Sequence, residues 1–151
     1  MKNIYKNENK LHFYFDDKVP CNLFRGQRDV DAKKGLPRIF PNPGFNRGNG
    51  QIRPADVKIV ERDGMQFVLG CRTTSGYYRG VSTFDRKNPD LSGFRWYCLP
   101  VGVKIPEALA ITQESAHKDK ANHYTIAPKD DMPLDLFLAW LKSLDNQLID
   151  A

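Results

Sequence analysis

Cysteine is scarce in this 151-residue chain. Only Cys21, Cys71 and Cys98 occur, and they lie far apart. An odd number without close spacing argues against a disulfide framework and against a zinc site. The expectation is three reduced thiols, mostly buried. A catalytic cysteine would want a histidine partner. His12, His117 and His123 are available, but no local signature ties one to a thiol. Long hydrophobic runs are also lacking, and no stretch approaches the length of a membrane span. The opening "MKNIYKNENK" is polar and leads into no apolar region, so no signal-peptide pattern is present. No P-loop, Rossmann fingerprint or hydrolase nucleophile elbow appears. Internal repeats and low-complexity tracts are missing too.

What is present suits one compact domain spanning 1–151. Hydrophobic residues make up 40% of the chain, enough for a core rather than a disordered composition. The 23 Lys and Arg against 18 Asp and Glu give a net charge of +5. This excess is spread out and forms no basic tail. It fits an anionic ligand or partner, such as a dinucleotide, a nucleic acid or an acidic protein, and selects none of them.

The pattern predicts an α+β domain rich in short strands. "KLHFYF" (10–15) and "CNLFRG" (21–26) read as strands. "VKIV" and "MQFVLGC" read as two more, joined by a turn at Asp63-Gly64. "GVSTFD" and "SGFRWYCLP" follow, the second with Phe94, Trp96 and Cys98 in period-2 alternation. Pro106 and Glu107 suggest a short helical turn, and 121–126 a strand stopped by Pro128. Between Asp29 and Asp56 the texture changes. Four prolines and four glycines in "KKGLPRIFPNPGFNRGNGQIRP" predict one long irregular segment, either a lid over a site or a plain insertion. The clearest helix is C-terminal. Asp130 or Asp131 would cap it and Pro133 would sit near its first turn. Leu134, Phe137, Leu138, Leu141, Leu144 and Leu148 would form its apolar face. Covering the domain's own core is its simplest role, and docking a partner is the alternative.

Three short stretches could carry chemistry. In "LFRG", Arg25 ends an apolar strand just before Gly26, and its planar fork suits phosphates or ribose hydroxyls. In "GVSTFD", Gly80 permits a close approach, and Phe84 offers a ring for stacking. Ser82 and Thr83 point to opposite faces, so only one of them can meet a given ligand. In "NHYTIAP", His123 and Thr125 share a face and Tyr124 takes the other. Each stretch alone also reads as ordinary strand structure.

Taken together, these stretches resemble ADP-ribosyltransferase-like antibacterial toxins delivered by type VI secretion. "LFRG" is similar to the first-strand motif of ADP-ribosyltransferases. The closer likeness runs from Gly80 to Pro128, through "GVSTFDR", "LPVGVKIPEAL", the Glu114-Ser115 pair and "HYTIAP". The resemblance implies a split β-fold acting on NAD as substrate. Arg25 would hold a phosphate or the nicotinamide ribose. Ser82 would hydrogen-bond that ribose. His123 would take the third position, with Tyr124 and Thr125 beside it. Gly26, Gly80 and Phe84 would complete the dinucleotide site, and no metal is implied. The chain shows no Gln-x-Glu or Glu-x-Glu in the third motif, so Glu114 is the nearest acidic position. The resemblance further implies a protein held in the producer's cytoplasm by a cognate immunity protein. A secretion apparatus would deliver it to the cytoplasm of a target cell. The competing readings are a toxin directed at RNA or nucleotides without NAD chemistry, and a binding module without catalysis.

Overall fold

The computed structural model describes residues 3–7, 10–46, 48, 50, 52–53, 55–72, 80–88, 92–113 and 121–151. Their elements run, in chain order, β1 (Asn3–Asn7), β2 (Lys10–Phe15), β3 (Leu23–Arg28), α1 (Asp29–Lys33), β4 (Phe45–Asn46), β5 (Ile52–Arg53), β6 (Ile59–Arg62), β7 (Met65–Val68), β8 (Val81–Phe84), β9 (Phe94–Leu99), β10 (Leu109–Gln113), β11 (His123–Pro128), β12 (Met132–Pro133), α2 (Leu134–Asp145) and β13 (Ile149–Asp150). Eight of the strands form one antiparallel sheet in the order β1-β2-β10-β11-β8-β3-β9-β13. This is the strand-rich α+β domain the pattern predicts.

Alternation sorts the sheet into two faces. One carries Leu23, Val81, Leu99, Leu109, Ile111 and Ile126. These pack with Phe137, Leu141 and Leu144 of α2 into the main core. The other face carries a small buried cluster of Tyr14, Cys71, Ala110 and Ala127. Around Ser82, Phe84 and His123 it is half buried. The sheet is thinnest at its centre, where β3 meets β8 in register at a single pair, Phe24 and Phe84.

The hairpin β6–β7 turns at Asp63 and Gly64, both with positive φ (51° and 76°), as a tight turn of this kind requires. Three predictions need correction. Pro106 and Glu107 start no helix; Leu109 N–H returns to Pro106 and closes a turn. The residues after it, with their helix-forming alanines, form β10. That strand is buried on both faces, so it shows no alternation to read. Asp130 and Asp131 do not cap α2, whose N-cap is Pro133. They bind elsewhere: Asp130 takes Arg72, and Asp131 takes Arg62 and the N–H of Gly70. Leu148 lies beyond the helix end but still packs into the core.

The segment from Asp29 to Asp56 is not uniformly irregular. It opens with α1. Residues 36–42 then lie across the α2 side of the sheet with their polar backbone atoms bound to side chains. Gln27 donates to the carbonyls of Leu36 and Pro37, and Arg25 to those of Arg38 and Phe40. Asp145 accepts from Ile39 N–H, and Asp56 from Asn42 N–H. An irregular strap can stay packed on the protein only if its buried backbone is satisfied in this way.

Candidate functional site

The polar centre of the half-buried face is a pair. His123 Nε2 lies 2.9 Å from Ser82 Oγ. Strand register makes the pair. Antiparallel β8 and β11 place Ser82 opposite Thr125 and Phe84 opposite His123, so all four side chains share one face. Just beyond the ladder a clasp fixes that register. Asp85 accepts from Asn122 N–H at 2.8 Å and from its Nδ2 at 2.9 Å. The Phe84 ring lies 5.2 Å from the imidazole, centroid to centroid, tilted by 32°. Thr83 turns the other way, fully buried, and donates its hydroxyl to the Tyr124 carbonyl.

The remaining predicted residues divide between the two faces. Arg25 is not brought beside the imidazole. It is buried on the α2 side, where its guanidinium donates to the carbonyls of Arg38 (3.0 Å), Ser82 (2.9 Å) and Phe40 (2.9 Å). It touches the pair only through the backbone of Ser82. Tyr124 also lies on the far face, close to Cys21. Burial drives the Tyr124 hydroxyl well above its ordinary range, and the Cys21 bond adds to the rise. Burial raises the Cys21 thiol as well. Thr125 is on the correct face but buried, its hydroxyl 2.7 Å from that of Thr112.

The glycines make room for protein rather than for open space. A Cβ on Gly80 would collide with the carbonyl of Ile126, so the bare glycine lets β11 close on the start of β8. A Cβ on Gly26 would stand 3.1–3.3 Å from the rings of Phe94 and Trp96. Glu114 and His117 lie outside the described residues, as do Tyr77 to Arg79.

Sequence reasoning missed two contributors. The Asp85–Asn122 clasp joins loop-end residues whose proximity only strand pairing reveals. Trp96 was visible as alternating strand, but its place beside Gly26 was not. A cavity of about 450 Å³ lies away from the pair, between the strap and α2, lined by Phe40, Pro41, Val57, Ile59, Leu134 and Leu138. It is apolar and contains no group suited to bond cleavage. Among the described residues no cluster of His, Cys, Asp or Glu could hold a metal ion.

The chain matches the family model for the Tse2 ADP-ribosyltransferase toxin over residues 3–150. No curated protein matches it. A match over nearly the whole length means that the chain belongs to the Tse2 ADP-ribosyltransferase toxin family, and it is a toxin of the mono-ADP-ribosyltransferase type.

Proposed function

We propose that the half-buried face around Ser82 and His123 binds NAD and transfers its ADP-ribose to an acceptor in the cytoplasm of a rival bacterium. The observation that carries this reading is the 2.9 Å contact between His123 Nε2 and Ser82 Oγ beside the Phe84 ring. It combines two hydrogen-bonding groups with a flat apolar surface, as a ribose joined to an aromatic ring requires.

The reaction breaks the bond between ribose C1 and the nicotinamide nitrogen. The electron pair leaves with nicotinamide, which thereby becomes neutral, so the leaving group needs no proton. Positive charge builds on the ribose, as in glycoside cleavage. The acceptor's lone pair closes the new bond to C1, and its proton passes to a base. Ser82 and His123 would hold the ribose hydroxyls, and Phe84 would flank the nicotinamide ring. A neutral imidazole can share part of the positive charge; a carboxylate does so better. Glu114 is the carboxylate this reading assigns to that task. Arg25 would act at one remove, by holding the Ser82 strand against the strap. Thr125, Gly80 and Gly26 shape the floor, and Tyr124 braces it from behind.

Family membership supports two further parts of the proposal. A toxin made in the cytoplasm must be neutralised there, which calls for a cognate immunity protein. Delivery into a competitor would use the type VI secretion apparatus. Among the described residues no helix is long and apolar enough to cross a membrane.

The experiment compares wild-type protein with Ser82→Ala and His123→Ala, using NAD labelled on the adenylate and a bacterial extract. Wild type is expected to release nicotinamide, transfer label and gain thermal stability from NAD. His123→Ala should lower kcat on the order of 10²-fold, and Ser82→Ala by roughly tenfold. Both variants should keep the wild-type melting temperature within a few degrees. Folded variants with undiminished turnover would remove the pair from the site. Degradation of RNA without NAD would replace the whole reading.

A further inference from the structure

The same face carries a second feature that the reaction as described leaves unused. Phe94 and Trp96 occupy alternate positions of β9, so their side chains stand on one side of the sheet. Their rings lie 6.3 Å apart, centroid to centroid, and within 28° of parallel. Two rings so nearly parallel are stacked rather than edge to face, and form one aromatic tile. The tile rests on β3 only because position 26 is glycine. Phe94 Cδ1 and the Trp96 ring atoms Cη2 and Cζ2 stand 3.1–3.3 Å from where a Cβ would be. An alanine there would make the rings give by a few tenths of an ångström. Both rings are half-buried.

Register ties this tile to the Ser82–His123 pair. Gly26 pairs with Trp96, and Phe24 pairs with Phe84. Counting two residues along each strand brings Gly26 level with Ser82. A row therefore crosses the sheet through Thr112, Thr125, Ser82, Gly26 and Trp96. Its first four members are small. Beside it runs a bulkier row of His123, Phe84 and Phe24. The small row is a trough with the polar pair near its middle and the indole at its end. Arg28 stands opposite Phe94 on the same face, exposed and paired with Asp31.

We propose that the Phe94–Trp96 tile is a second ring-binding subsite, and that it takes the adenine base of the dinucleotide whose nicotinamide riboside lies at Ser82 and His123. This inference rests on the proposed function. A dinucleotide has two planar rings joined by a flexible, charged diphosphate. The same side of the sheet offers one ring at Phe84, beside the Ser82–His123 pair, and another at Trp96, with Gly26 between them. Stacking on an aromatic face needs no base-specific hydrogen bond, which suits a site built from strand side chains alone. The opposite face of the sheet is covered by α2 and the strap, and the cavity between them is apolar and does not suit a charged diphosphate.

The test uses the two tryptophans of the chain, Trp96 and Trp140. Trp140→Phe leaves Trp96 as the single indole fluorophore. NAD and ADP-ribose are expected to quench its emission, and nicotinamide mononucleotide, which lacks the adenine, to quench it far less. In protein otherwise wild type, Trp96→Ala should raise KM for NAD about tenfold. The loss should fall on KM rather than kcat, and Trp96→Phe should recover most of it. Gly26→Ala keeps both rings but pushes them from their seat, and should raise KM in the same sense. It covers the case in which Trp96→Ala does not fold. Two results overturn the inference: quenching by nicotinamide mononucleotide equal to that by ADP-ribose, or an unchanged KM in folded Trp96→Ala and Gly26→Ala. In either case NAD would still stabilise and be cleaved by the wild type, and the proposed function would stand. If wild type neither gains stability from NAD nor releases nicotinamide, that reading fails and the subsite fails with it.

Discussion

Arg25 shows how one side chain can serve a site without facing it. Its guanidinium is buried and spends hydrogen bonds on three carbonyls from two separate stretches of chain, the strap and β8. The planar fork suits this, since its donors diverge within one plane. Lysine carries the same charge but is a point donor on a flexible stem and cannot hold all three at once. Arg25→Lys is therefore expected to cost about 2 kcal/mol of folding stability and Arg25→Met about 3 kcal/mol, because buried carbonyls are left unpaired. Urea denaturation measures both. If Arg25→Lys kept full stability while KM for NAD rose, the guanidinium would be a substrate contact rather than a clamp. The sequence marked Arg25 as important through its place before a glycine. The direction of its side chain depended on β3 packing between β8 and β9, which no local pattern encodes.

At the scale of elements, the site depends on how closely β8 and β11 approach. Gly80 opens β8 directly against the Ile126 carbonyl, and Gly70 sits as tightly against the backbone of Asp130. These glycines are needed for contact between backbones, not for turning. Gly80→Ala should cost about 2 kcal/mol or more by overpacking. It should also weaken catalysis in the protein that remains folded, because the displaced strand carries Ser82. Thermal denaturation and nicotinamide release, measured on the same sample, test the two effects together. An alanine variant as stable and active as wild type would show that the strand ends have room to part. The strands of this region were legible from alternation: β2, β3, β6, β7, β8 and β9 all fall where the pattern put them. β10, Leu-Ala-Ile-Thr-Gln, escaped because it is buried on both sides, so its residues show no in–out alternation to read. The tethering of the strap escaped for another reason. Its anchors, Gln27, Arg25, Asp56 and Asp145, come from both before and after it in the chain.

Over the whole molecule, the thiols and Tyr124 couple folding to alkaline pH. Burial lifts the Cys71 thiol from 9.0 to about 12, and Cys21, Cys98 and Tyr124 are raised by the same cause. A group whose pKa is higher when folded holds its proton in the native state after the unfolded chain has lost it. Its contribution is complete below the unfolded value and disappears as pH climbs through the folded one. Stability should therefore be flat from neutral pH to about pH 8 and fall above pH 9. By pH 11 Cys71 alone accounts for about 2 kcal/mol of that loss. Urea denaturation across this range checks the slope, and Cys71→Ala should flatten it. An unchanged slope in that variant would assign the loss to Tyr124 and the other thiols. The three cysteines are free, as their spacing led one to expect, and two of them are buried.

The sequence by itself determined the class of fold, the position of most strands and the C-terminal helix. Each of these follows from local periodicity and from residues that start or stop it. It also determined that only one hydroxyl of the Ser82-Thr83 pair could face a given ligand, because strand alternation has a period of two wherever the strand lies. Tertiary structure decided which candidates meet. It set Ser82 against His123 by register across β8 and β11, and it turned Arg25 and Tyr124 to the far side. It seated Trp96 on Gly26, 70 positions apart in sequence. Such pairings are settled by the order of strands in the sheet, and strand order follows from burying one apolar face against α2. That is a property of the whole chain's packing, and no single segment contains it.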